Sequence, residues 1–386
     1  MSAPRLIIHA IRDLVRRKLY RVAQTDPPGY AFIVHPRNYP DVRRKYPFFK
    51  YVPEKLGRFF LRHFWPVVLC DVRGISTLHS RKQLCGWIIT IPLTAQDMTE
   101  HRSLAVDMIR KSIVLAAKMG VKIVGLGALT ASFTKRGELL RDILDEYDMG
   151  ITTGAGYTTY NIVEIAEMLA EKTNMRKESA LVAIIGAAGS IGSTSAIYLA
   201  HRGWKNFLLI DTERKNKNLE NLEKELSQKF PTISARHDHQ LASIQNSDLI
   251  ITATNAPEAL VQEDDIKPGA IIIDDAQPSD IHPDVIKNRK DIIVVAGGAA
   301  HLPNIRIPFD FGLQHREDVF SCLAETIILA AEESWKERIF GDVSISYIER
   351  IAAGGKKLCF TTAHFQNFYA NISPEQIAEV KSIRSS

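Results

Sequence analysis

Two sets of residues in this chain of 386 have types and spacings that could do chemistry. The first is Gly186, Gly189 and Gly192, in the stretch LVAIIGAAGSIGSTSAIYL over 181–199. Five apolar residues there precede a glycine-punctuated turn and a helix-forming run over 193–201. One glycine lets the chain reverse off a strand. Another lets backbone N–H groups approach a pyrophosphate, and the third lets the helix pack on the sheet with its positive N-terminus facing the phosphates. Ala188, Ser190 and Ile191 complete the turn. Gly203 stops the helix, a second strand covers 207–210 and Asp211 ends it, so a whole βαβ unit is legible. Asp211 is the residue type that holds a ribose 2′-hydroxyl, whereas Arg214 and Lys215 just beyond could pair with a 2′-phosphate. The second set is Cys322, with His315 and Arg316 one to two turns before it on a predicted helix. To act as a nucleophile its thiol must fall from about 8.5 through a helix N-terminus or a cation. Packing is the commoner role of a cysteine between Phe320 and Leu323.

The elements that must hold these residues alternate. After the βαβ unit come a charged helix over 217–230, strands over 248–254, 270–274 and 292–296, and the pair Gly297-Gly298. Short apolar strands with helical or loop crossovers predict an α/β protein with a parallel, doubly wound (Rossmann) sheet. Ligands in such sheets lie across the C-terminal strand ends, which puts Thr254, Asn255, Asp275, Gly297 and Gly298 along a cofactor crevice; each is also ordinary turn chemistry. Upstream, strands over 67–72, 86–91 and 121–126, a helix over 98–119 and another over 158–171 predict a second α/β domain, with 172–178 as a charged linker. Downstream, a helix over 316–338 carries Cys322, a helical segment follows over 347–357, and the polar tail after Pro374 is expected to be mobile. The resulting division is an N-terminal extension (1–64), a substrate domain (65–175), a Rossmann domain (176–312), C-terminal helices (313–370) and a tail (371–386).

Composition sets the outer bounds. Hydrophobic content of 45% and charged content of 24% describe an ordinary globular protein. The uncharged run over 179–200 is long enough to cross a bilayer, but its glycines and hydroxyl residues sit at strand-turn-helix positions. Cys70, Cys85, Cys322 and Cys359 are too few and too scattered for a disulfide framework or a metal site. The N-terminal segment lacks a continuous apolar core and a small-residue cleavage site, so a cytoplasmic protein is expected. The first twenty-one residues nevertheless form a basic amphipathic pattern, suited to an anionic membrane surface, to an acidic partner or to packing on its own domain. Over 30–65, bases interleave with aromatics, a pattern shared by single-stranded nucleic-acid binding, by a lipid-like substrate on an acidic carrier and by core aromatics under a solvated basic face. Nucleic acid is excluded as a partner because the net charge of +5 is modest, the bases concentrate in the first sixty or so positions, and no recognised motif accompanies them.

Five motifs narrow the reading. GLGALTAS from Gly125, TTGAGYTTY from Thr152, GAAGSIGS from Gly186, AGGAAH from Ala296 and FSCLAET from Phe320 stand in the order and approximate spacing of the long-chain acyl-[acyl-carrier-protein] reductases, which this chain resembles from about Trp65 to Phe360. The resemblance implies NADPH-dependent reduction of a fatty acyl thioester, on a carrier protein or coenzyme A, to an aldehyde through a cysteine-bound acyl group. Cys322 carries over as the nucleophile, the three turn glycines as the pyrophosphate site, and Thr153, Gly154 and Tyr160 as residues of a motif beside the active site. Residues 1–64 do not match. NADH remains an alternative to NADPH because Asp211 is present. A shikimate-dehydrogenase or glutamyl-tRNA-reductase type of oxidoreductase and a non-catalytic dinucleotide-binding protein are the rival readings, and the oligomeric state is open.

Overall fold

The computed structural model describes residues 26–256, 258–367 and 369–385; the basic pattern predicted over 1–21 lies outside them. Its strands are β1 (Gly29–Val34), β2 (Val67–Val72), β3 (Gly86–Thr90), β4 (Val121–Leu126), β5 (Gly150–Thr152), β6 (Leu181–Ile185), β7 (Asn206–Ile210), β8 (Ser234–Asp238), β9 (Leu249–Thr252), β10 (Ile271–Asp274), β11 (Ile293–Ala296), β12 (Ala299–His301), β13 (Asp318–Phe320) and β14 (Thr361–Thr362). The helices are α1 (Tyr39–Lys45), α2 (Glu54–Leu61), α3 (Ala95–Glu100), α4 (Arg102–Lys118), α5 (Thr130–Phe133), α6 (Arg141–Glu146), α7 (Ala155–Lys172), α8 (Ser190–His201), α9 (Asn216–Lys229), α10 (Pro283–Asn288), α11 (Ser321–Ala331), α12 (Ile345–Lys357) and α13 (Pro374–Ser385). They form two compact units, one running through Gly154 and including Leu302–Gly341 and Ala353–Phe360, the other comprising Ala155–His301, Asp342–Ala352 and the chain from Thr361 onward.

The first unit is built on a five-stranded sheet in the order β2-β3-β1-β4-β5. Strand β1 runs parallel to β3, with Ile33 opposite Ile89, and to β4, with Ile33 opposite Leu126. Its apolar run is buried because β1 lies in the parallel part of the sheet, whose edge strand β2 alone is antiparallel, and helices cover both faces there: Ala105, Met108, Ile109 and Ile113 of α4 join the core on one side, and α11 packs against β4 and β1. This corrects the expectation that residues 1–64 form an extension apart from the domain, since 29–34 is the central strand. The surrounding basic and aromatic composition masked a short apolar run that only tertiary pairing identifies. The helix expected over 98–119 is broken at His101, which has φ −130° and ψ 59°, and α3 has its own start in a Thr94–Asp97 capping box.

The second unit carries a six-stranded sheet in the order β11-β10-β9-β6-β7-β8, every pair parallel. The chain leaves β6 toward β7 and β8, then returns to the other side of β6 as β9. The order reverses beside β6, where the glycine turn lies, and this is the doubly wound topology. Three boundaries differ from expectation. Helix α7 belongs to this unit, because the buried Asn161 donates from Nδ2 to the carbonyls of Gly297 (3.0 Å) and Ala299 (2.7 Å). Residues from Leu302 onward, including α11, join the first unit, so neither 175 nor 312 is a boundary. The tail expected to be mobile is the helix α13: Val380 is fully buried, Gln376 Nε2 donates to the Ile292 carbonyl at 2.7 Å, and Arg384 Nη1 donates to that of Gly269 at 2.9 Å. Among the described residues no helix is long and apolar enough to cross a membrane.

Candidate nucleotide turn and thiol site

In the second unit the turn after β6 is closed by backbone contacts that exclude side chains. Gly186 has φ +85°, and a Cβ there would lie 2.6 Å from the Ala253 carbonyl oxygen; one on Gly192 would lie 2.3 Å from that of Gly186. Gly189 precedes α8 as its N-cap without a side-chain cap, so the N–H groups of Ser190, Ile191 and Gly192 are left unsatisfied by the helix. The hydroxyls of Ser190, Thr194 and Ser195 are buried without a hydrogen-bond partner among the described residues. Unsatisfied donors at the positive end of a helix, in a cradle that a Cβ would fill, fit a pyrophosphate.

Asp211 does more than end β7. Its carboxylate accepts from the Ala188 N–H at 3.1 Å and the Thr212 N–H at 2.8 Å, and Lys215 Nζ lies 3.3 Å away. With that side chain only 7% exposed, its oxygens tie the strand end to the glycine turn. Arg214 is exposed nearby.

Around the remaining strand ends the contacts are again specific. Thr254 donates to Asp280 from its hydroxyl (2.6 Å) and its N–H (3.3 Å), which fixes the loop carrying Asn255. Gly297 donates to the Asp274 carbonyl at 2.8 Å, and a Cβ on Gly298 would lie 2.6 Å from Asp275 Oδ1. Three carboxyls thus gather where β10 ends. Burial, with the neighbouring Asp274 and Asp280 charges adding to it, pushes Asp275 up to about 8. Burial pushes Asp280 up to about 6 despite the Thr254 hydrogen bond, and Asp274 is also raised by burial. Sequence reasoning placed Asp275 in this crevice but missed Asn161, which holds Gly297 and Ala299; a lone asparagine inside an apolar helix was the available signal.

The first unit presents the thiol. Cys322 is the second residue of α11, a half-buried thiol in the helix's opening turn, where the positive end of the dipole favours a thiolate. The helix expected over 316–338 starts only at Ser321, after strand β13, so His315 and Arg316 are not on its preceding turns. The helical spacing expected to bring those two residues over the thiol is therefore not observed, and the feature beside the thiol is the helix N-terminus. Gly154, at φ +76°, lies so close that a Cβ would be 2.3 Å from Cys322 Cβ and 2.4 Å from its Cα. Its N–H donates to Thr152 Oγ1 at 3.0 Å, and Thr152 Oγ1 in turn donates to the fully buried Glu325, one turn along α11 from Cys322. Thr153 Oγ1 and Ser321 Oγ are buried without a partner among the described residues. Of the motif residues, Gly154 is thus brought beside Cys322 just after β5, and Thr153 precedes it in the chain. Tyr160 stands on α7 in the second unit, its ring 5.6 Å from that of Tyr157, its phenol raised by burial and by Glu164. A further fixed point is His35, just after β1. Its Nε2 accepts from the Leu129 N–H at 3.2 Å while Nδ1 lies 2.9 Å from the Pro36 carbonyl, and burial lowers the imidazole to about 4, so a neutral ring braces the GLGALTAS loop.

Residues 166–296 match the family model described as shikimate / quinate 5-dehydrogenase. That span contains the whole doubly wound sheet and the glycine turn. The second unit is a nicotinamide-dinucleotide-binding domain. Over a wider span, 251 residues are 26% identical to aminotransferase PigE of a Serratia species, covering 64% of this chain but 28% of that one. The long-chain acyl-[acyl-carrier-protein] reductase of Synechococcus elongatus is 26% identical over 257 residues, 62% of this chain and 70% of that one. Glutamyl-tRNA reductase of Natranaerobius thermophilus is 28% identical over 146 residues, 36% of this chain and 30% of that one. The chain is related to NAD(P)-dependent oxidoreductases.

Proposed function

We propose that this protein reduces a fatty acyl thioester, carried on an acyl carrier protein or coenzyme A, to an aldehyde with NADPH, and that Cys322 carries the acyl group between the two half-reactions. The observation that supports it most is the seating of Cys322 in the first turn of α11 under the Thr152-Thr153-Gly154 loop. That arrangement uses two of the five motifs that resemble the acyl-carrier-protein reductases, and the Synechococcus relative bears that activity in its name.

In the first half-reaction the Cys322 sulfur attacks the acyl carbonyl carbon. A new thioester forms, and the carrier sulfur leaves and takes up a proton. The N–H groups of the opening turn of α11 favour the thiolate before attack, and again when Cys322 departs. Thr152 and Glu325 hold Gly154 against α11, which orients the sulfur. NADPH, when bound, would supply the hydride for the acyl carbon, whose bond to the Cys322 sulfur then breaks to give the aldehyde and the thiolate. Ser190, Ile191 and Gly192 would hold its pyrophosphate, and Arg214 its 2′-phosphate, because the Asp211 carboxylate is already bonded to the turn.

The experiment is intact mass after incubation with a long-chain acyl thioester and no nicotinamide, beside the Cys322→Ser variant. An acyl adduct on the wild type alone is expected. No adduct with the substrate intact would overturn the reading. It would favour a second one, direct hydride transfer to a small polar substrate without covalent capture, which the shikimate-type model over 166–296 supports.

A further inference from the structure

Helix α2 is oriented the wrong way round for a surface helix. Such helices normally turn their apolar stripe to the core and their charges to water. In EKLGRFFL the small Gly57 and Leu61 face inward, Leu61 joining Tyr39, Val42 and Phe49 in a minor core. Leu56, Phe59 and Phe60, which share one face at the spacing i, i+3, i+4, are 47%, 55% and 48% exposed. Tyr51 before the helix and Phe64 after it are exposed as well, at 76% and 39%.

The polar side is where the orientation is fixed. Arg58 and Arg62 reach back to α3. Arg58 Nε donates to Asp97 Oδ1 at 3.0 Å, Arg62 donates to the same oxygen from Nε (3.0 Å) and Nη2 (2.9 Å), and both lie 3.0 Å from Glu100 Oε2. The side chain of Asp97 is fully buried, and its other oxygen accepts from the Thr94 hydroxyl at 2.7 Å and N–H at 3.2 Å. A buried carboxylate bonded on both oxygens binds two arginines that cannot be released without stranding it, so α2 is held with its apolar face outward. Flanking that face in the chain, Lys50 and Lys55 are exposed beside Glu54, and the half-exposed Glu100 of α3 is already paired with Arg58 and Arg62.

We propose that the outward face of α2, with Tyr51 and Phe64 at its ends, docks on an anionic lipid bilayer. Leu56, Phe59 and Phe60 enter the boundary between headgroups and acyl chains, and Lys50 and Lys55 meet the phosphates. Aromatic and aliphatic side chains rimmed by lysines suit an interface that is apolar below and anionic above. The sequence before the patch has the same sign, with Arg5, Arg12, Arg16, Arg17, Lys18 and Arg21 against Asp13 alone in residues 1–21. This orientation is independent of the reaction at Cys322.

The test is co-sedimentation of the full chain with vesicles made of equal parts phosphatidylcholine and phosphatidylglycerol, beside vesicles of phosphatidylcholine alone. Binding is expected on the mixed vesicles, weakened by salt. Phe59→Ser with Phe60→Ser should lower the partition coefficient at least ~tenfold, and Lys50→Glu with Lys55→Glu should do so on the mixed vesicles only. Because these side chains are exposed, the melting temperature should stay that of the wild type. As a second readout, Phe59→Trp should blue-shift its emission when mixed vesicles are added. The proposal is overturned by equal partitioning of wild type and Phe59→Ser/Phe60→Ser, by an unshifted tryptophan, or by capture on an acidic carrier protein with no vesicle binding.

Discussion

Replacing Gly154 by alanine tests how the thiol is held. The residue has φ +76°, and the added methyl would stand 2.3 Å from Cys322 Cβ, more than an ångström inside the 3.4 Å at which ordinary contact begins. Two costs follow. Placing a side chain in the left-handed region costs about 1 kcal/mol. Relieving the overlap by moving backbone costs a further ~2 kcal/mol, because the neighbour is the Cα and Cβ of a helix residue rather than a flexible side-chain end. A loss of roughly 3 kcal/mol in the first unit corresponds to a fall of about 6–12 °C in its melting temperature. The chemical effect should be larger than the thermal one. The methyl pushes the Thr152-Thr153-Gly154 loop off α11, and a displacement of about 1 Å at a reacting group can cost ~100-fold. Acylation of Cys322 by a long-chain thioester should therefore slow by about two orders of magnitude. Alkylation by iodoacetamide should accelerate relative to the exposed Cys359 in the same chain, because the loop no longer covers the sulfur. Mass spectrometry of both sites and a thermal melt read all three. A variant that melts within about 2 °C of the wild type, with the Cys322 to Cys359 alkylation ratio unchanged, would refute the claim that this glycine exists to let the loop lie against the thiol.

Arg214→Ser should lower affinity for NADPH by at least ~tenfold and leave NADH unchanged, measured by quenching of intrinsic fluorescence on titration; equal effects on the two cofactors would remove Arg214 from the 2′-phosphate site. Asp275 bears on stability. Its folded pKa of about 8 lies above its ordinary carboxylate value, so the folded state keeps a proton that the unfolded chain releases. That contribution is fully present below about pH 4 and is lost as pH rises through about 8. Asp275→Asn does not titrate, so its melting temperature should fall less steeply than that of the wild type between these limits. Parallel curves would contradict the burial of this carboxyl.

Much of the nucleotide unit was legible because its signals are local. Strand β6 was read with its observed bounds, and β7, β9, β10 and β11 within one or two residues, since each is a short apolar run bounded by turn residues. The glycines of the turn were legible because only the absence of a side chain permits that approach. Strands β1 and β8 were missed for opposite reasons. The first is apolar but embedded in a basic and aromatic stretch; the second, SARHD, is a half-exposed edge strand with no apolar pattern. Within the site, Cys322 could be nominated by its motif; Glu325 stands in the same motif, but its burial and its bond to Thr152 could not be read there, because they depend on a partner distant in the chain. Thr152 is 173 residues away from Glu325 in the chain.

What the sequence determined by itself was therefore the local chemistry: the βαβ turn, the alternation that makes an α/β protein, and the candidate thiol. Tertiary structure decided which segments share a unit. It made residues 29–34 the centre of a sheet, joined 302–341 to the first unit, and gave the last residues a helix with a buried face. It also decided the orientation of α2, whose composition is compatible with either face inward. The physical reason is common to all of these. Periodicity and turn chemistry are set by neighbours a few positions apart, whereas strand order, helix facing and the pairing of buried charges depend on partners distant in the chain, which hydrogen bonding and burial select only once the chain is compact.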